Sequence, residues 1–210
     1  VVAPIWHDEG DFPHSVSFHR FERNSPHLDA SDPRVFLYNG RQYLTTISHF
    51  RLARSKDGIH FHVDEEPTIF PETPDESYGI EDCRITEIDG IYYINYTASS
   101  DCGYGTKLIS TSDWEHFTRH GMIFHPLNKD VAIFPEKSHG YYYAFHRPEP
   151  GSFDKPSIWI AQSTDLLHWG NHQKIMGPRD DYWQSRKIGA GAPPVKTQHG
   201  WLEIYHGVAE

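Results

Sequence analysis

Ile88-Asp89-Gly90-Ile91-Tyr92-Tyr93-Ile94-Asn95-Tyr96-Thr97 carries a polar residue and a glycine and then runs on through aromatic and β-branched side chains. A glycine placed this way supplies the positive φ of a tight hairpin turn, and the run after it reads as a strand. Tyr92, Ile94 and Tyr96 fall on one face, and Ile91, Tyr93 and Thr97 on the other. A strand apolar on both faces is one packed from both sides.

The same pattern recurs along the chain. Tyr38-Asn39-Gly40-Arg41-Gln42-Tyr43, Ser138-His139-Gly140-Tyr141-Tyr142-Tyr143 and Gln198-His199-Gly200-Trp201-Leu202 each pair polar residues with a glycine and an aromatic-rich run. A second element repeats in phase: Ser55-Lys56-Asp57-Gly58-Ile59-His60-Phe61, Thr111-Ser112-Asp113-Trp114-Glu115-His116-Phe117 and Ser163-Thr164-Asp165-Leu166-Leu167-His168-Trp169. Its aspartate is expected to hydrogen-bond the backbone of its own turn, with the aromatic anchoring the next strand. His60, His116 and His168 are therefore read as scaffold. His60 and His62 share a strand face, but no third ligand accompanies them and no metal is expected.

A period of about fifty residues built from short strands predicts a β-propeller with about four strands per blade. No stretch sustains a helical period. The expected fold is all-β: one incomplete domain over 1–210, with units at 31–71, 78–126, 129–178 and 187–210. The last unit stops after one hairpin, so the ring is expected to be cut short with open edges. The stretch from Asp8 to His27 is expected to lie against the first unit.

The formal net charge of −10 argues against a nucleic-acid surface or a polybasic membrane patch. Cys83 and Cys102 make neither a disulfide framework nor a zinc set, which points to a reducing, cytoplasmic setting. No run is apolar enough to span a membrane. Val1-Val2-Ala3-Pro4 has no basic or apolar leader character and no initiator Met, so a trimmed or partial chain is expected. Aromatic residues make up 14% of the chain, which suits cross-strand packing and also sugar-binding surfaces.

Charge concentrates where each unit's first strand begins. Gly79-Ile80-Glu81-Asp82-Cys83-Arg84-Ile85-Thr86 packs two carboxylates and a guanidinium into four residues. The equivalent stretches are Asp32-Pro33-Arg34, Asn128-Lys129-Asp130 and Arg186-Lys187-Ile188-Gly189-Ala190-Gly191. In a propeller these positions gather around the axis, and a ring of Asp, Arg and Lys suits a polar, anionic or sugar-like ligand.

Four of these stretches carry a resemblance. Gly79-Ile80-Glu81-Asp82-x-Arg84, Asn128-Lys129-Asp130-x-Ala132-Ile133-Phe134-Pro135-Glu136-Lys137, His146-Arg147-Pro148 and Lys187-Ile188-Gly189-Ala190-Gly191-x-Pro193-Pro194 resemble glycoside hydrolase family 130. Its members are β-mannoside phosphorylases and β-1,2-mannosidases on a five-bladed propeller, of which about three and a half blades are expected here. The resemblance implies that Asp82 is the catalytic acid of an inverting phosphorylase yielding α-mannose 1-phosphate. It makes Lys107, Lys129, His146 and Lys187 the expected phosphate cradle. Glu81, Arg84, Asp130, Tyr182, Trp183, Tyr205 and His206 are expected to meet the sugar. Phosphate is already an anionic nucleophile, so an acid and a cationic cradle suffice, whereas inverting hydrolysis needs a second carboxylate to activate water. Glu136, Asp130 and Asp180 are the candidates for that alternative, and a non-catalytic sugar-binding propeller is the third reading.

The expected partners are a β-mannoside oligosaccharide and inorganic phosphate as co-substrate, with no further cofactor, no nucleic acid and no membrane; a homo-oligomer is left open. Three departures from the family pattern stand out. Cys83 replaces the family's usual proline. Gln184 replaces an acidic residue. The Thr46-Ile47-Ser48-His49 stretch lacks the charged residues found in many phosphorylases, although Arg51 and Arg54 follow.

Overall fold

The computed structural model describes residues 1–8, 10, 15–180 and 183–209. Strands dominate, and one 3-10 turn at Pro74–Glu76 is the only helical element among the described residues. The chain is all-β. It groups into two compact units, residues 1–81 with 98–102, and residues 82–97 with 103–210.

The first unit is built from short pieces. β1 (Val2–Trp6) pairs antiparallel with β2 (Val16–Arg20). β3 (Leu28–Asp29), β4 (Val35–Tyr38) and β5 (Arg41–Leu44) form a three-stranded sheet, and β6 (Ala53–Arg54) pairs with β7 (His62–Val63). Phe21 packs its ring against Phe36, Tyr38 and Tyr43 at centroid distances of 4.8–5.1 Å. Of the stretch from Asp8 to His27, Phe21 thus reaches the first sheet and residues 16–20 form β2, while residues 9 and 11–14 lie outside the described residues.

The second unit holds the long strands. β8 (Gly79–Ile88), β9 (Ile91–Ser100), β10 (Gly103–Thr111) and β11 (Thr118–Phe124) form one antiparallel four-stranded sheet, whose β8 begins and β9 ends in the first unit. β12 (Asn128–Ile133), β13 (Tyr142–Pro148), β14 (Ile158–Ser163) and β15 (Trp169–Met176) form another. β16 (Lys187–Ala190) pairs with β19 (Tyr205–Val208), and β17 (Val195–Thr197) with β18 (Gly200–Leu202).

Two buried clusters flank the β12–β15 sheet, as the alternation of its strands demands. Val131, Ile133, Ala144 and Ala161 meet Ile88, Leu108, Ile123 and Phe124. On the other face Ala132, Phe134, Phe145 and Ile158 meet Ile188 and Ala190 of β16. Polar side chains cross the first of these interfaces: Asn95 Nδ2 donates to the Val131 carbonyl at 2.8 Å and Thr86 Oγ1 to that of Ile133 at 3.2 Å. That fits the two-sided burial expected of the strand after Gly90.

The turns follow the sequence reading. Gly40, Gly90 and Gly140 have φ of 77°, 79° and 86°, and Asn39, Asp89 and His139 before them are also left-handed. Two consecutive positive φ values are the twist that a tight hairpin needs. In the second repeat, Asp57, Asp113 and Asp165 each accept two backbone N–H groups through Oδ1 and the histidine Nδ1 through Oδ2. All three histidines are scaffold, and no cluster able to hold a metal occurs among the described residues.

Candidate active site

β8 and β12 open in the same way. Asp82 and Asp130 both sit in the left-handed region, at φ 58° and 54°. That conformation is costly for a residue with a Cβ, and it persists where the surroundings impose it. Each aspartate is paired with an arginine at 2.5 Å, Asp82 with Arg84 and Asp130 with Arg147.

The two pairs differ in exposure. The Asp130–Arg147 pair is buried, with side chains 2% and 6% exposed. Such a pair survives burial only when its geometry and extra contacts are good, and removing one partner strands the other charge. His206 Nε2 supplies a third contact, 3.2 Å from Asp130 Oδ2, while its ring stays half exposed. Asp82 is open, at 42%, while Arg84 is nearly covered. A carboxyl that solvent and a ligand can reach, held by a buried guanidinium, can give or take a proton in a fixed direction.

β16 and the residue after it join both pairs. Arg84 Nε donates to the Gly191 carbonyl at 2.9 Å, and Nη2 to that of Ala190 at 3.3 Å. Two residues earlier, a Cβ on Gly189 would stand 1.9 Å from Asp130 Oδ2 and 2.9 Å from Arg147 Nη1. Gly189 is required by close approach to this buried pair. The β16–β19 register sets Gly189 opposite His206. The Glu-Asp-x-Arg, Asn-Lys-Asp, His-Arg-Pro and Lys-Ile-Gly-Ala-Gly stretches thus meet along one short strand.

The remaining expected residues fall around this centre or away from it. Glu81 precedes Asp82 and is exposed. Lys187 opens β16, is half-buried, and has no ion-pair partner among the described residues. Lys129 stands over the Tyr104 ring at 5.7 Å. Lys107 is 5% exposed on β10, an interior strand of its sheet. Tyr205 stacks on Trp183 at 5.6 Å, and its hydroxyl donates to Gln184 Oε1 at 2.6 Å. Gln184, which stands where an acid was expected from the family pattern, is buried. Gly207 lets the chain pass this pair, since a Cβ there would meet Trp183 and Gln184 within 2.6 Å. Tyr182 lies outside the described residues.

His146 is not brought to the two ion pairs. It neighbours Arg147 on β13, and successive strand side chains point to opposite faces. Its ring stacks on Phe124 at 4.8 Å, its Nδ1 meets Asn128 and its Nε2 lies 3.1 Å from His172 Nδ1. Burial, and then His172, push its pKa down to about 3, so it is neutral at ordinary pH. It lines a groove of about 840 Å³ with Trp159, Trp169 and His172, which none of Asp82, Arg84, Asp130 or Arg147 borders.

Sequence reading missed Glu203. Its Oε1 accepts the Gly191 N–H at 3.0 Å, beside the residues that hold Arg84. Leu202-Glu203-Ile204-Tyr205 reads as an ordinary alternating strand, and only the fold brings the carboxyl back to Gly191.

The comparisons with known proteins agree with this assembly of motifs. The sequence model of glycoside hydrolase family 130, described as beta-1,4-mannooligosaccharide phosphorylase, matches residues 32–210. The chain is 41% identical to a beta-1,2-mannobiose phosphorylase of Listeria innocua over all of its own length and 59% of that protein's. It is 36% identical to a beta-1,2-mannobiose phosphorylase of Thermoanaerobacter sp., over 99% of its own length and 70% of that protein's. The solved Listeria innocua beta-1,2-mannobiose phosphorylase in complex with beta-1,2-mannobiose superposes with a TM-score of 0.89, at 40% identity, over the whole chain and 60% of that structure. The chain belongs to glycoside hydrolase family 130. It spans about 60% of the length of its Listeria relative.

Proposed function

We propose that the protein of which these residues form part is an inverting β-mannoside phosphorylase acting on β-1,2-linked mannosides. The observation that carries this reading is the 41% identity, over the full chain, to a protein named beta-1,2-mannobiose phosphorylase. The site geometry is compatible with it. Asp82 is the proposed acid: exposed, and aimed by Arg84. It protonates the leaving glycosidic oxygen by way of the sugar's 3-hydroxyl, while phosphate attacks the anomeric carbon from the opposite face. The glycosidic C–O bond breaks as the C–O bond to phosphate forms, giving α-mannose 1-phosphate and the released sugar.

Asp130, fixed by Arg147, is proposed to accept hydrogen bonds from sugar hydroxyls, with His206 beside it; Glu81, Trp183 and Tyr205 are further proposed sugar contacts. Lys187, Lys129 and Lys107 are the proposed phosphate cations, since phosphate favours clustered donors that carry charge. We leave His146 out of that cradle: it is neutral and lies on the other face of β13. The two four-stranded sheets are proposed to be blades of a five-bladed propeller, with the units of 31–71 and 187–210 as further blades. A cytoplasmic setting stays part of the proposal; among the described residues no helix is long and apolar enough to cross a membrane.

The test is product analysis of β-1,2-mannobiose with and without inorganic phosphate. Mannose 1-phosphate formed only with phosphate supports the phosphorylase. Free mannose released equally without phosphate overturns it in favour of a hydrolase.

A further inference from the structure

We propose that Glu203 is a positioning residue for Asp82, acting through the Ala190–Gly191 peptide and Arg84. The part that concerns proton transfer rests on the proposed role of Asp82; the physical coupling does not.

Glu203 sits in the two-residue link between β18 and β19 and is half-buried. Its Oε1 accepts the N–H of Gly191 at 3.0 Å, an N–H that the Ile204 carbonyl also approaches at 3.0 Å. The carbonyl at the other end of that same peptide bond belongs to Ala190 and accepts Arg84 Nη2 at 3.3 Å. Arg84 Nε takes the next carbonyl, Gly191, at 2.9 Å. Its Nη1 closes on Asp82, 2.5 Å from the carboxyl and 2.6 Å from the main-chain oxygen. The order is carboxyl, peptide dipole, guanidinium, carboxyl.

Each link is held. A Cβ on Gly191 would lie 2.2 Å from the Ile204 carbonyl oxygen, so that backbone has no slack. Arg84 is nearly covered and spends its donors on two carbonyls and one aspartate. Glu203 Oε2 is buried and has no hydrogen-bond partner among the described residues. A carboxyl oxygen left this way is unfavourable as an anion, and burial pushes the Glu203 pKa up to about 7 against the pull of the Gly191 N–H and Arg84.

One guanidinium therefore serves two carboxyls of unequal surroundings. Arg84 is the charged group acting on Glu203 from β8, with Asp82 behind it; from β16 the group faces the uncharged Ala190–Gly191 backbone. An anionic Glu203 on the N–H end polarises the peptide and makes the Ala190 carbonyl a better acceptor. It also shares the positive charge of Arg84 with Asp82. A neutral Glu203 leaves the guanidinium acting on Asp82 alone.

The experiment follows the Arg84 Nε–H resonance by ¹H–¹⁵N NMR from pH 5 to 9, assigned with Arg84→Lys, in wild type and Glu203→Gln. Glutamine keeps an oxygen for the Gly191 N–H but cannot titrate. The expected result is an Arg84 titration with a midpoint near 7 in wild type that is absent from Glu203→Gln. In the phosphorolysis assay, Glu203→Gln is expected to lose the pH limb near 7. Glu203→Leu is expected to lower kcat about tenfold with KM little changed, as misplacing an acid does. An Arg84 resonance that stays flat, or titrates alike in both proteins, overturns the inference. A wild type that shows the titration yet makes no mannose 1-phosphate upholds the coupling and sinks the phosphorylase reading instead.

Discussion

The Arg84 Nε group and the Gly191 carbonyl oxygen are 2.9 Å apart, and this bond joins positions 107 residues apart in the chain. It ties the start of β8 to the residue after β16, and holds the guanidinium that pairs with Asp82. Arg84→Lys keeps the charge but loses the fork that reaches two carbonyls and a carboxyl together. The expected outcome is a fall in kcat/KM of about a hundredfold, with the thermal unfolding midpoint lowered far less. Steady-state kinetics beside a melting curve checks this.

Gly189 and Gly90 predict opposite outcomes for the same change. At Gly189 a methyl would overlap the buried Asp130–Arg147 pair. Gly189→Ala should cost about 3–5 kcal/mol, the scale of breaking a buried ion pair, and should abolish turnover. At Gly90 nothing lies within 4 Å of the added carbon, and only the positive φ of 79° opposes it. Gly90→Ala should therefore cost about 1–2 kcal/mol and leave kcat unchanged. Urea unfolding of both variants separates the two mechanisms.

His146 gives an acid dependence. Its folded pKa is about 3, lowered by burial and then by His172, against an ordinary value of 6.5. The unfolded chain therefore binds a proton from about pH 6.5 downward while the folded chain refuses it. Stability is lost as pH falls through that window, by about 3 kcal/mol between pH 6.5 and 4. His146→Gln should flatten this slope and leave phosphorolysis near neutral pH almost intact. Chemical denaturation at several pH values reads the slope directly.

The aspartates of the second repeat should matter more than their histidines. Asp113 holds the backbone N–H groups of Glu115 and His116 as well as the His116 ring. His116 contributes only the last of these contacts. Asp113→Ala should lower the melting temperature clearly more than His116→Ala, and the same order should hold at Asp165 and His168.

What was legible in the sequence was what is local. The hairpin glycines and the Asp-x-x-His turns state their own geometry within a few residues, and both appear as read. The two-sided burial of the strand after Gly90 was legible from its composition. The need for glycine at 189 was not legible, because its cause, the carboxyl of Asp130, comes from another sheet. His146 was expected in the phosphate cradle; once β13 is seen to be a strand, its alternation turns His146 away from Arg147 and Asp130. Glu203 carried no signal, because its partner is a backbone N–H brought near by the β16–β19 pairing. In the first unit, residues 28–63 divide into a three-stranded and a two-stranded sheet. A repeat period alone does not say where ladder pairing stops.

The most direct test of the account is Asp82→Asn in the protein, assayed on β-1,2-mannobiose and phosphate by ³¹P NMR and titrated with the same sugar by calorimetry. The amide keeps the shape and a contact to Arg84 but cannot release a proton. The account predicts that the α-mannose 1-phosphate signal of wild type falls by about 10²-fold or more while sugar binding is retained. Phosphorolysis at the wild-type rate in Asp82→Asn would contradict it.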